Sequence, residues 1–161
     1  MRFKPVLDVL SPALVALLVL IAAWNPVLAD PKPASSIPAA SLIQPGDLAA
    51  ALRSASAPKP LILQVGFRTL YVQAHIPDAE FVGAASDDKG LRGLRERVAA
   101  LPKDAAIVIY CGCCPWNRCP NVGEAFAALH ALGFSQLKVL YIADNFGTDW
   151  VDKGYPVAKG S

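Results

Sequence analysis

The run Ala105-Ala106-Ile107-Val108-Ile109-Tyr110 is almost wholly apolar and stops at a cysteine. Successive side chains of a strand point to opposite faces, so a strand apolar at every position has no side to show to water. It has to be covered on both sides, which argues against a one-sided antiparallel sheet. The neighbouring segments agree. "LILQV" (61–65) and "LKVLYI" (137–142) read as further buried strands, and "EFVG" (80–83) as a small one. "GLRGLRERVAAL" (90–101) spaces Leu91, Leu94, Val98 and Leu101 three or four apart, the stripe of a helix lying on a core. "VGEAFAALHALGF" (122–134) reads as a second helix, with Asn121 as its cap and Gly133 as its stop. "TLYVQAHIP" fits a helical turn ending before Pro77, "PGDLAAALRS" (45–54) a lead-in helix, and "TDWVDK" a closing one. The expected fold class is α/β, a mainly parallel sheet with helices on both faces.

The ends of the chain read differently. "MRFK" followed by the uncharged run 13–23 and by Val27 and Ala29 has the layout of an export signal over residues 1–29. Eleven apolar residues fall short of the ~20 that span a bilayer, so cleavage with no stable membrane insertion is expected. An uncleaved inner-membrane anchor is the alternative. Residues 30–40, rich in Pro, Ala and Ser, read as a flexible linker, and 41–161 as one domain. Without residues 1–29 the chain has 13 basic and 12 acidic residues, and so balanced a charge does not predict nucleic acid as a partner. A mature chain of 132 residues buries a core without covalent staples.

The cysteines are therefore not needed to hold the fold, yet all four crowd into "CGCCPWNRC": Cys111, Cys113, Cys114 and Cys119. Cys111 follows the most apolar strand, and ligands of open α/β sheets sit outside the carboxyl ends of strands. The loop then enters the amino end of the 122–134 helix, where free N–H groups and the helix dipole favour an anion. A thiolate of Cys111 in such a cradle would have a depressed pKa and serve as a nucleophile. Gly112 lets the backbone turn away from the strand.

Four segments resemble a single rhodanese-like domain, the sulfurtransferase fold. "DLAAALRSASAPKPLILQV" resembles the family's opening helix and first strand. "YVQAHIPDAEFV" is similar to its tyrosine and Gly-His-Ile-Pro-Gly-Ala segment, through Tyr71, His75, Ile76, Pro77 and Ala79. "IVIYC" resembles the strand that delivers the catalytic cysteine, and "DWVDKGYPV" the closing Trp-x-x-x-Gly-Tyr-Pro-Val, through Trp150, Gly154, Tyr155, Pro156 and Val157. The resemblance implies a persulfide on Cys111, with no resident cofactor or metal. It departs at three places. Gln64-Val65-Gly66 stands where the family has Asp-Val-Arg, and Asn145-Phe146 replaces a double glycine. Six residues rather than four separate Cys111 from Arg118. Strand register favours Cys111 as the nucleophile, whereas arginine spacing favours Cys113.

The expected function is transfer of sulfane sulfur through Cys111, with Cys113, Cys114 and Cys119 as auxiliary or resolving thiols. Arg118, Trp116, Gly112 and Asn121 are the candidate substrate contacts. A small sulfur-containing anion or thiol acceptor, and a redox partner protein, are the expected partners, with the periplasm as the site of action. The alternative is a non-catalytic, thiol–disulfide or soft-metal-binding module. Cys114 with Cys119, or Cys113 with Cys119, are the disulfides such a loop can close. Two or three of its sulfurs could hold Cu(I), but zinc would need a ligand from elsewhere, and only His75 and His130 are available. His75 is expected to fix the turn before Pro77, and His130 to sit at a helix surface.

Overall fold

In the computed structural model, which describes residues 34–56 and 58–160, the run leading to Cys111 forms the middle of a five-stranded, wholly parallel sheet. In chain order the elements are β1 (Leu42–Ile43), α1 (Pro45–Arg53), β2 (Leu61–Gln64), α2 (Arg68–Gln73), β3 (Glu80–Phe81), α3 (Asp88–Val98), β4 (Ile107–Tyr110), α4 (Pro120–Ala131) and β5 (Leu137–Leu140). The strand order is β1-β5-β4-β2-β3. β4 thus has β2 on one edge, with Gln64 opposite Tyr110, and β5 on the other, with Val139 opposite Ile109.

All four β4 side chains are buried, as their composition requires. Ile107 and Ile109 point to one face, where Leu94 and Val98 of α3 and Val122, Ala125 and Leu129 of α4 cover them. Val108 and Tyr110 point to the other, against Leu48 and Ala49 of α1, Ile76 and Trp150. The expected α/β class with helices on both faces is what the chain adopts.

Three expectations change. Residues 34–40 are not a free tether. Two short 3₁₀ turns, Ala34–Ser36 and Ala39–Ser41, lead into β1, and Ala34 and Ile37 are buried in the core beside α4. Their apolar side chains outweigh the proline content that suggested a linker. Second, α4 begins at Pro120, whose missing N–H and fixed φ suit a first helical position, so Asn121 lies inside the helix and Cys119 takes the cap position. Third, the closing helix is a single π-type turn over Gly147–Val151. The proposed signal over 1–29 lies outside the described residues. Among the described residues, no helix is long and apolar enough to cross a membrane.

The segment before Pro77 is held as the sequence led us to expect. His75 Nδ1 lies 2.8 Å from the Tyr71 carbonyl, its ring stacks on Tyr71, and its backbone pairs with Ala158. The Tyr71 hydroxyl donates to the Ala79 carbonyl at 2.7 Å. His130 is exposed at the end of α4.

Trp150 anchors the closing segment. It is fully buried, stacks on Phe146, meets Tyr155 edge-on and donates its indole N–H to the Pro156 carbonyl at 2.8 Å. Trp150→Ala is expected to cost about 3–5 kcal/mol in urea unfolding, the usual range for emptying a large aromatic site. A loss under about 1 kcal/mol would remove this anchor from the account.

Candidate functional site

Where β4 ends, Gly112 takes φ 73° and turns the chain toward the segment after β5. Its carbonyl accepts the Phe146 N–H at 3.1 Å, and a Cβ on Gly112 would stand 2.6 Å from the Phe146 Cβ. The loop then crosses a 3₁₀ turn, Trp116–Arg118, into α4. Trp116 packs against Tyr141, with ring centroids 5.1 Å apart, and its N–H donates to the Ala143 carbonyl. These contacts pack Trp116, one of the candidate substrate contacts, between the loop and the segment after β5.

Cys111 continues the side-chain alternation of β4 and points to the α3–α4 face, 2% exposed. Its Sγ lies 3.2 Å from Cys113 Sγ, and the sulfurs of Cys111, Cys113 and Cys119 all lie within 4.8 Å of one another. Cys114 Sγ is 2.8 Å from Cys113 Sγ but turns outward, to the Arg118 carbonyl at 3.6 Å. These separations are well beyond the ~2.05 Å of a disulfide, and all four cysteines are free.

Two side groups hold the cluster from beneath. Asn121, fully buried, donates Nδ2 to Cys111 Sγ at 3.2 Å and approaches Cys113 Sγ at 3.9 Å, while its Oδ1 accepts the Ser86 N–H at 3.0 Å. Gln64, 1% exposed, donates Nε2 to the Cys111 carbonyl at 3.3 Å and accepts the Gly66 N–H at 3.2 Å. Gly66 leaves the space that the sulfur fills: a Cβ there would stand 2.7 Å from Cys111 Sγ.

The negative charge does not settle where the sequence placed it. The helix-end cradle forms at Cys119 rather than Cys111, because α4 starts at Pro120 and puts Cys119 at its mouth. The Cys111 and Cys113 thiols favour the Cys119 thiolate most, and the N–H groups of Val122 and Asn121 add to this without closing a full capping hydrogen bond; together they outweigh burial and hold its pKa far below the usual thiol value. For Cys111, the Cys113 thiol favours ionisation, but the neighbouring Cys119 and burial oppose it more strongly and push the pKa up to about 12. Cys113 is raised by Cys111, by Cys119 and by burial; Cys114 is raised chiefly by burial. Of the three clustered thiols, Cys119 is thus the one that favours the thiolate.

A cleft of about 420 Å³ opens beside the cluster, lined by Gln64, Gln73, Tyr110, Cys111, Cys113 and Phe146 among others, with no charged side chain in its wall among the described residues. Arg118 is exposed on the loop and is not part of that wall. Of the candidate residues, Cys111, Gly112 and Cys113 meet in the cleft, Cys119 and Asn121 lie behind it, and Cys114, Trp116 and Arg118 stand apart from it.

No protein-family model matches the chain, and no curated protein matches it by sequence. Solved structures do. A rhodanese-like domain from Anabaena sp. superposes with a TM-score of 0.54 at 22% identity, over 74% of this chain and 79% of that one. A protein from Bacillus halodurans gives 0.56 at 20% identity, over 73% and 76%. The thiosulfate sulfurtransferase of Pseudomonas aeruginosa gives 0.53 at 25% identity over 74% of this chain, though only 19% of that longer chain is matched. The chain has the rhodanese-like fold. On that rhodanese-like frame the cysteine cluster occupies the carboxyl end of the central strand.

Reading the sequence alone missed Gln64 and Gly66 as site residues and assigned Asn121 to the wrong task. The available signal was positional. Gln64 ends β2, the neighbour of β4, so its side chain and the glycine after it had to fall beside Cys111.

The charge distribution predicts one thiolate per reduced, folded chain at neutral pH, visible as ultraviolet thiolate absorbance. Cys119→Ser should remove it and let the Cys111 titration fall from about 12 toward the ordinary thiol range. Persistence of the neutral-pH absorbance in Cys119→Ser would place the anion elsewhere.

Proposed function

We propose that the chain is a sulfurtransferase that carries sulfane sulfur as a persulfide on Cys111. The observation that carries this reading is the position of Cys111, beyond the last residue of a strand fixed on both edges, in a cleft wall it shares with Cys113. The rhodanese-like fold supports it at the level of architecture. The Cys111 thiol becomes the nucleophile by giving up its proton to the thiolate that the sulfur donor releases.

The uncharged wall favours a donor of a particular kind. Thiosulfate is a dianion and would enter a cleft that offers it no cationic side chain. A small thiol persulfide, R–S–SH, enters with less desolvation. The Cys111 thiolate attacks its outer sulfur, the R–S to S bond breaks, and R–S⁻ leaves and takes up a proton. Cys111 then holds –S–SH, which an acceptor thiol attacks in turn to restore Cys111. Cys113, at 3.2 Å, is the thiol best placed to act as a resolving group, releasing hydrogen sulfide and leaving a Cys111–Cys113 disulfide. A reducing partner protein would then reopen it. We also propose export to the periplasm, supported by the apolar run 13–23 with Val27 and Ala29 behind it.

The test is transfer of sulfane sulfur from a low-molecular-weight persulfide and from thiosulfate to a thiol, with each cysteine changed singly to serine. Cys111→Ser is expected to fall to the uncatalysed background. Cys119→Ser, which removes the neighbour that raises the Cys111 pKa, should keep or raise the rate of transfer. Cys114→Ser should keep most activity, and the persulfide should be the better donor. Full activity in Cys111→Ser with loss in Cys113→Ser would move the carrier to Cys113.

A further inference from the structure

The same three sulfurs have a geometry that sulfur transfer does not require. A carrier cysteine with one helper needs two thiols in contact. Here Cys111 from the strand end, Cys113 from the loop and Cys119 from the mouth of α4 converge from three different points of the backbone, with every Sγ–Sγ separation within 4.8 Å. Three sulfurs at ~2.3 Å from one ion stand roughly 4 Å apart, so the cluster closes on an ion with only small side-chain adjustment. We propose that Cys111, Cys113 and Cys119 form a three-sulfur site for a soft monovalent cation, Cu(I).

The choice of ion follows from the donor set. Every potential ligand in the cluster is a sulfur; among the described residues no histidine or carboxylate joins it. Thiolates select soft ions, whereas calcium and magnesium take oxygen, and structural zinc is almost always held by four ligands. A fourth sulfur is nearby, against Cys113 and within reach of Cys119, but Cys114 faces the Arg118 carbonyl on the outer side of the loop and is not among the sulfurs that all lie within 4.8 Å of one another. Three-coordination suits Cu(I) and leaves zinc incomplete.

The surroundings fit a soft ion as well. Cys111 and Cys119 are 2% and 6% exposed, and Cys113 is half-buried, so the site is closed behind and open in front. Val65, Val122 and Trp116 belong to the apolar shell around it. Asn121 Nδ2 already donates to Cys111 Sγ and reaches toward Cys113 Sγ, the outer-sphere hydrogen bond that steadies a metal thiolate and spreads its charge. The dipole of the 12-residue α4 faces the same sulfurs with its positive end. On binding, the ion takes the place of the thiol protons, which leave to solvent; no electron is transferred.

The experiment uses the reduced full chain under anaerobic conditions, titrated with Cu(I) against a chromophoric Cu(I) chelator. One Cu(I) per chain is expected. Cys111→Ser, Cys113→Ser and Cys119→Ser should each weaken binding at least tenfold, Asn121→Ala by about tenfold, and Cys114→Ser should leave it unchanged. Unfolding midpoints of the copper-free variants identify any that fail to fold. X-ray absorption of the wild-type adduct gives a second readout that needs no variant, with three sulfur neighbours expected. Failure of the wild type to draw Cu(I) from the chelator, equal loss in Cys114→Ser, or a four-sulfur shell with zinc bound as tightly would each overturn the site. Sulfur transfer is measured separately on copper-free protein, so the two readings fail independently.

Discussion

Because β4 is hydrogen-bonded on both edges and covered on both faces, the residue that leaves it has almost no freedom of position. Cys111 inherits this rigidity. Its sulfur is placed by the sheet, and the rest of the site is what the loop after β4 arranges around that fixed point. The loop from Gly112 to Cys119 bends back so that two further sulfurs meet the first, and its path is tied at the Phe146 N–H and the Ala143 carbonyl.

Asn121 is the second support of the arrangement. A fully buried amide is costly unless its polar atoms find partners, and here they bind the Ser86 N–H on one side and the Cys111 sulfur on the other. The segment leading into α3, the start of α4 and the end of β4 are thus joined through one side chain. The charge sits one step away, on Cys119, where neighbouring thiols and the helix end favour it. Separation of the anion from the sulfurs that line the cleft gives the cluster two distinct kinds of thiol: Cys119, which favours the ionised form, and Cys111 and Cys113, which favour the neutral one.

The fold was legible because β4, α3 and α4 carry strong and consistent patterns: an uninterrupted apolar run, a three-and-four stripe, and a helix closed by Gly133 at φ 86°. The burial of Ala34 and Ile37 was not, since two apolar side chains among prolines and serines leave no periodic trace. The start of α4 was misplaced for a related reason. Asn121 is a good capping residue, and the sequence does not reveal that its side chain is needed by sulfur instead. Which cysteine would hold the anion depended on that helix start, so a shift of the cap to Cys119 carried the charge with it. Gln64 and Gly66 belong to the site only through the pairing of β2 with β4, a relation between distant segments.

The 2.7 Å between Cys111 Sγ and the place a Cβ would occupy on Gly66 ties two distant positions together. Any side chain at 66 and a sulfur in its present pose would claim the same volume. The bare backbone after β2 is thus a condition of the crowded thiol loop: nothing larger can be seated there until the sulfur gives up its place.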